Sequence, residues 1–150
     1  MENSVMICED DFQKARNEIK KNKKAGKIII FSGNDELNRK VLEKEDIDVL
    51  LIKLKGRKDR LKQRDSGFNQ VFAKLAQKKN VIIGIDFDEI MGSDKKEKIK
   101  IIARLRQNIE ICKKNKLKMV FLNTKNQKDK YNLKALGLVL GMPTSMTSLL

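Results

Sequence analysis

Five short apolar runs alternate with longer stretches of helical periodicity along this chain. The runs are Val5–Cys8, Ile28–Phe31, Ile47–Ile52, Val81–Ile85 and Leu117–Leu122. Runs this short and this rich in Ile and Val suit a parallel sheet covered on both faces. Between them the apolar positions recur at helical spacing. Phe12, Ala15 and Ile19 make a stripe in a first helix. Leu37, Val41 and Leu42 do so in a second, with Asn34 or Asp35 at its cap. Phe68, Val71, Phe72, Leu75 and Ala76 give a third helix one apolar face. Asp65 and Ser66 are placed to cap it, and Gly67 lets the backbone turn tightly before it.

A fourth helix is expected from Asp94 to Asn115, with Ile102, Leu105, Ile109 and Cys112 as its stripe. Lys113, Lys114 and Lys116 favour its negative end. The last helix, Asn132 to Leu140, carries Leu133, Leu136, Val139 and Leu140, and Gly141 ends it. The sole proline, Pro143, leaves Thr144–Leu150 as a short tail or final turn. Strands alternating with helices imply βαβ units and an α/β fold with a parallel sheet of about five strands. Five are too few for a closed eight-stranded barrel. With no internal repeat or Gly/Ser linker, residues 1–150 read as a single domain.

Charge changes the picture most. The 150 residues hold 34 Lys and Arg against 20 Asp and Glu, a net charge of +14. A surface that positive repels itself unless it meets a polyanion, so nucleic acid is the first partner to consider. Because most of the cations are Lys, and Asn and Ile are frequent too, lysine drift in an AT-rich genome is the competing explanation. Cys8 and Cys112 lack metal-site spacing and lie in apolar runs, so both are expected to be buried, reduced thiols. A chain without His forms no His-based metal site and has no His general base. No early apolar run is long enough for a signal peptide or a membrane span, so a cytoplasmic protein without a membrane partner is expected.

The cations concentrate in three segments. Residues 14–27 hold Lys14, Arg16, Lys20, Lys21, Lys23, Lys24 and Lys27. A solvated helix face explains these as well as a binding face does. Residues 53–64 hold Lys53, Lys55, Arg57, Lys58, Arg60, Lys62 and Arg64. Residues 113–130 hold Lys113, Lys114, Lys116, Lys118, Lys125, Lys128 and Lys130. The loops 53–64 and 123–131 each follow a strand. In a parallel fold both project from the C-terminal edge of the sheet and form one patch. Arg is concentrated in the first loop, where its planar fork suits phosphate. Tyr131 is the one stacking candidate, so backbone and shape recognition of structured RNA is favoured over base-by-base reading.

Asp86 and Asp88 follow the apolar run that ends at Ile85. This Asp-x-Asp resembles the first motif of haloacid-dehalogenase-type phosphohydrolases, with a nucleophile, an acid/base and bound Mg²⁺. Glu89 and Ile90 depart from that motif, and the later acids Asp94, Glu97, Glu110 and Asp129 are isolated. The alternative is that Asp86 and Asp88 cap the next turn or pair with the basic loops.

Two blocks carry a more extensive resemblance. The first is Asp65-Ser-Gly67, Phe72-Ala-Lys-Leu75, Lys78-Lys-Asn-Val81 and Ile83-Gly-Ile85. The second is Leu133-Lys-Ala-Leu136-Gly137 followed by Leu138-Val-Leu-Gly141-Met142. In order and spacing they resemble the archaeal ribonuclease P protein component 3 family, shared with eukaryotic RNase P/MRP. The resemblance covers residues 64–142 well and 27–63 by pattern. It implies a distorted TIM-barrel-like fold, related to PHP-type metal-dependent phosphoesterases but used as a scaffold. It implies a non-catalytic subunit that binds ribonuclease P RNA and pairs with protein component 2. The RNA then removes the 5′ leader of pre-tRNA using Mg²⁺, no cofactor is held by the protein, and pre-tRNA is met indirectly. RNA contacts are expected at the two sheet-edge loops and at Lys78 and Lys79. The family usually has a longer N-terminal region, so this chain is expected to be N-terminally shortened and its barrel incomplete.

Overall fold

The computed structural model describes residues 2–122, 125 and 128–147. Its elements run β1 (Ser4–Cys8), α1 (Phe12–Lys24), β2 (Ile28–Ser32), α2 (Asp35–Lys44), β3 (Val49–Ile52) and α3 (Gln70–Lys79). They continue with β4 (Ile82–Asp86), α4 (Phe87–Gly92), α5 (Lys95–Lys114), β5 (Met119–Leu122) and α6 (Lys130–Leu140). All five predicted strands form, and every neighbouring pair is parallel. Their order across the sheet equals their order in the chain. That order keeps successive crossovers on one face, as in barrel winding, whereas a doubly wound sheet reverses. β1 and β5 are the two edges and do not meet, so the sheet is an incomplete barrel.

The helical face holds the main core. Ile29, Phe31, Leu50, Ile52, Ile83, Ile85, Met119 and Phe121 point from the strands to Ala15, Ile19, Val41, Phe72, Leu105 and Ile109 of the helices. The other face holds a small cluster of Ile30, Val49, Leu51 and Val120, backed by Ile82 and Leu122. Coverage is therefore unequal, because helices pack on one face while the strands' own side chains shield the other. Gly84 shows how closely they converge. A Cβ there would lie 3.1 Å from both Leu122 and Val49 and 3.3 Å from Leu51. Cys8 emerges on this uncovered face and is exposed, not buried as its apolar run suggested. Cys112 is buried as expected, and burial pushes its thiol up to about 12.

Caps set the helix starts. Asn34, one of the two caps the sequence offered for α2, accepts from Leu37 N, and Asp94, the expected start of α5, accepts from Glu97 N. α3 differs, because its cap is Asn69, which accepts from Phe72 N. Asp65 and Ser66 belong instead to the preceding loop, and Val71 points to solvent at 54% exposure. Val139 of α6 is likewise 80% exposed. The short α4 was not expected; Asp86 caps it by accepting from Glu89 N. After α6 the chain turns through Pro143–Thr147 with Met146 buried, while the predicted tail's Ser148–Leu150 lie outside the described residues. Among the described residues no helix is long and apolar enough to cross a membrane.

Candidate nucleic-acid interface

The C-terminal ends of β3, β4 and β5 lie at one edge of the sheet, where the loop after β3 meets α4 and Lys125. The loop after β3 carries most of the arginines, and it is held from beneath. Arg104 of α5 is 1% exposed. Its side chain leans toward the helix N-terminus, as helical side chains do, and so reaches this edge. Its fork donates to the carbonyls of Leu54 at 2.8 Å and Arg57 at 2.7 Å. Asp59 and Glu97 lie 3.5 and 3.6 Å from the guanidinium and offset its charge. One turn later Asn108 donates to the carbonyl of Ser66, while Gln107 donates to Ser66 Oγ.

Carboxylates complete the support. Glu89 accepts from Leu54 N and Lys55 N at 3.0 and 2.8 Å, and Glu97 from Gly56 N at 3.0 Å. Asp59 accepts from Asp65 N, and this backbone donor first, then Arg104, holds its carboxyl below the usual range. Arg57 folds back over the loop. It grips both oxygens of Asp35 at 2.8 Å, reaches Asp65 at 3.2 Å and donates to the carbonyl of Lys53. The Asp35 bond lowers the carboxyl's pKa and raises that of the guanidinium. Gly67 has φ +68, and a side chain there would run into the Arg57 guanidinium.

The expected contact residues therefore divide. Arg57, with its side chain 13% exposed, is an anchor and not an open phosphate contact. Lys53 is bonded to Asp86. Burial draws its ammonium's pKa down, but Asp86, Glu89 and Cys8 outweigh burial and leave it raised. Lys78 and Lys79 end α3, so they stand at the opposite, N-terminal edge of the sheet. There Lys79 donates to the last carbonyls of α2, Glu43 and Glu45, at 2.9 Å each. On the C-terminal edge, Lys55, Lys58, Arg60, Lys62 and Arg64 are exposed, and none forms an ion pair within 4 Å among the described residues. Lys58, Arg60 and Arg64 line a cavity of about 490 Å³ beside Gly67 and Phe68. Lys128 and Lys130 are exposed where α6 begins, and Lys125 N donates to Asp88. Of the predicted loop 123–131, residues 123, 124, 126 and 127 lie outside the described residues.

The Asp-x-Asp motif finds its place here. Asp86 spends one oxygen on the α4 cap and the other on Lys53. Asp88 and Glu89 hold the two basic loops. Capping and loop pairing were the alternative to a phosphohydrolase site, and the geometry follows that alternative. In segment 14–27, Arg16 pairs with buried Glu45 and Lys23 with Asp46 and Asp48. Two of its cations thus brace α1 against the loop before β3. The sequence reading missed Arg104 and Asn108. Their signal was a polar pair, spaced i, i+4, on the same inward stripe as Ile101, Leu105 and Ile109.

This architecture has relatives. Ribonuclease P protein component 3 of Methanocaldococcus jannaschii is 28% identical over 131 residues, 87% of this chain and 53% of that protein. The component 3 of Methanothermobacter thermautotrophicus is 30% identical over 111 residues, 73% of this chain and 43% of that protein. A chain from a cryo-EM structure of archaeal ribonuclease P with mature tRNA superposes with a TM-score of 0.79 at 26% identity. The match covers 97% of this chain and 63% of that one. The chain spans about half the length of the curated relatives it matches. The family model described as RNase P subunit p30 matches residues 3–146, and the chain therefore belongs to that family.

Proposed function

We propose that this chain is a non-catalytic, RNA-binding protein subunit of ribonuclease P, which supports a catalytic RNA in removing the 5′ leader from pre-tRNA. One observation carries the reading: five cations that form no ion pair among the described residues stand on a loop pinned by Arg104, Glu89 and Glu97 at a single sheet edge. A rigid cationic loop loses little freedom on meeting a phosphate backbone. The names of the relatives support the same reading. In this role the RNA holds the Mg²⁺ used for cleavage, and the complex works in the cytoplasm. Protein component 2 is the proposed protein partner, docking on the uncovered sheet face or an open strand edge.

Reconstitution tests it. Ribonuclease P RNA and the other protein subunits of an archaeal relative are mixed with pre-tRNA and Mg²⁺, with and without this chain. Cleavage at the leader junction should rise when the chain is added, and the chain alone should cleave nothing. Equal cleavage in both mixtures, together with no RNA binding, would overturn the proposal. Light scattering of the chain with component 2 checks the partner, and two separate species at micromolar concentration would exclude it.

A further inference from the structure

The same loop carries a feature that charge does not explain. Arg60 and Gln63 exchange two backbone hydrogen bonds, Arg60 N to Gln63 O at 2.9 Å and Gln63 N to Arg60 O at 3.2 Å. They close a hairpin tip of two residues, Leu61 and Lys62. Neither has a positive φ, so the turn is unstrained. Leu61 at this tip is 107% exposed, the most exposed large apolar side chain among the described residues. Around it stand Lys58, Arg60, Lys62 and Arg64. The tip rests on the Asp59–Asp65 bond and the Arg104 fork below.

We infer that Leu61 is an apolar wedge that docks on unstacked RNA bases, an exposed loop or strand end, while the cations around it hold the flanking phosphates. This rests on the RNA-binding reading and narrows it to a class of RNA structure. Four cations around one leucine repel a basic partner and give an uncharged apolar socket no counter-ions. A polyanion whose charges flank flat apolar faces fits both features, and nucleic acid has that chemistry. Leucine belongs to the side chains that proteins insert against base steps. A continuous A-form duplex hides its base faces, and its deep groove is too narrow for side chains to read, so the wedge needs unpaired bases. The cavity of about 490 Å³ beside the hairpin is lined by Lys58, Arg60 and Arg64 and also by Asp35 and Asp65. Arg57 engages both of those carboxylates, which leaves the three cations to meet a phosphate next to the inserted tip.

The test uses the full chain and two RNAs with equal numbers of phosphates. One is a stem closed by a single-stranded loop bearing 2-aminopurine; the other is a continuous duplex with blocked ends. Wild type should prefer the stem–loop and change its 2-aminopurine fluorescence. Leu61→Ala should lower stem–loop affinity by about tenfold, as expected for an aliphatic contact. It should bind the duplex as before and keep its salt slope and its thermal melt. Leu61→Met should restore the preference. Equal binding of both RNAs by wild type and Leu61→Ala would overturn the wedge and leave the cationic edge standing. No binding of either RNA would overturn both. Loss of component 2 binding with RNA affinity intact would place Leu61 in a protein socket and overturn the wedge as well.

Discussion

Arg104 Nη2 donates to the carbonyl of Arg57 at 2.7 Å, joining the middle of α5 to the basic loop after β3. A buried cation here organises exposed ones. Arg104→Leu removes donors from two carbonyls and leaves Asp59 and Glu97 without their shared partner. A loss of about 3 kcal/mol is expected in urea unfolding. Arg104→Lys should recover little, because an ammonium cannot span both carbonyls as the planar fork does. Limited proteolysis should cut both variants between residues 55 and 66. A wild-type unfolding midpoint with an uncut loop would show that Arg104 does not hold it.

The Asp35–Arg57 pair should give the loop an acid limit. Asp35 titrates below its ordinary value in the folded chain, with the Arg57 hydrogen bond as the leading cause. Its contribution is therefore complete above the unfolded value of about 3.9 and is lost as pH falls through the folded value. Asp35→Asn should be less stable than wild type at neutral pH and match it in stronger acid. Melts followed by circular dichroism across that range would check this, and a constant gap would rule the pair out as its source.

Lys58→Ala, Arg60→Ala and Arg64→Ala combined should weaken RNA binding and lower the slope of log K against log salt by about two to three units. These three are the right set because Arg57 is structural: replacing it would mix loop collapse with lost charge. The melt should stay within about 0.5 kcal/mol of wild type, since all three are exposed. Unchanged RNA titrations would remove the cationic edge from the binding surface.

Lys78 and Lys79 should behave differently. Lys79→Ala removes a donor from the end of α2 and should cost about 0.5–1 kcal/mol in unfolding. The double change Lys78→Ala and Lys79→Ala should leave RNA affinity within about twofold, because both lie at the far edge of the sheet. A large affinity loss would mean that RNA spans both edges.

The strands and most helix limits were legible because burial writes itself as short aliphatic runs and periodic stripes. The cap of α2 was legible only as Asn34 or Asp35, since both are capping types, and Asp94 was legible as the start of α5. α3 was read too early because Asp65, Ser66 and Asn69 are all capping types. Arg57 engages Asp65, and Gly67 takes a positive φ, so the helix starts only at Asn69. Composition located the basic loop but could not say which cations were free. Whether Arg57 pairs inward depends on Asp35, 22 residues away. Likewise, Lys78 and Lys79 were expected as RNA contacts from the resemblance alone, and only the direction of α3 places them at the edge opposite the basic loop. Arg104 escaped notice because an arginine within a lysine-rich helix reads as surface, and its burial follows from loop carbonyls about 50 residues earlier.

The order of the strands bears on how the chain acquires its fold. Each strand pairs only with its immediate predecessor and successor, so no pairing must wait for a distant segment. Short-range parallel pairing of this kind lowers the closure entropy of every step. The sheet can thus be laid down during translation, with each new strand and helix docking on the surface left by the last. In the finished molecule, amide protons of the fully buried β3 should exchange slowest. Those of the edge strand β1, whose residues are mostly uncovered, should exchange first.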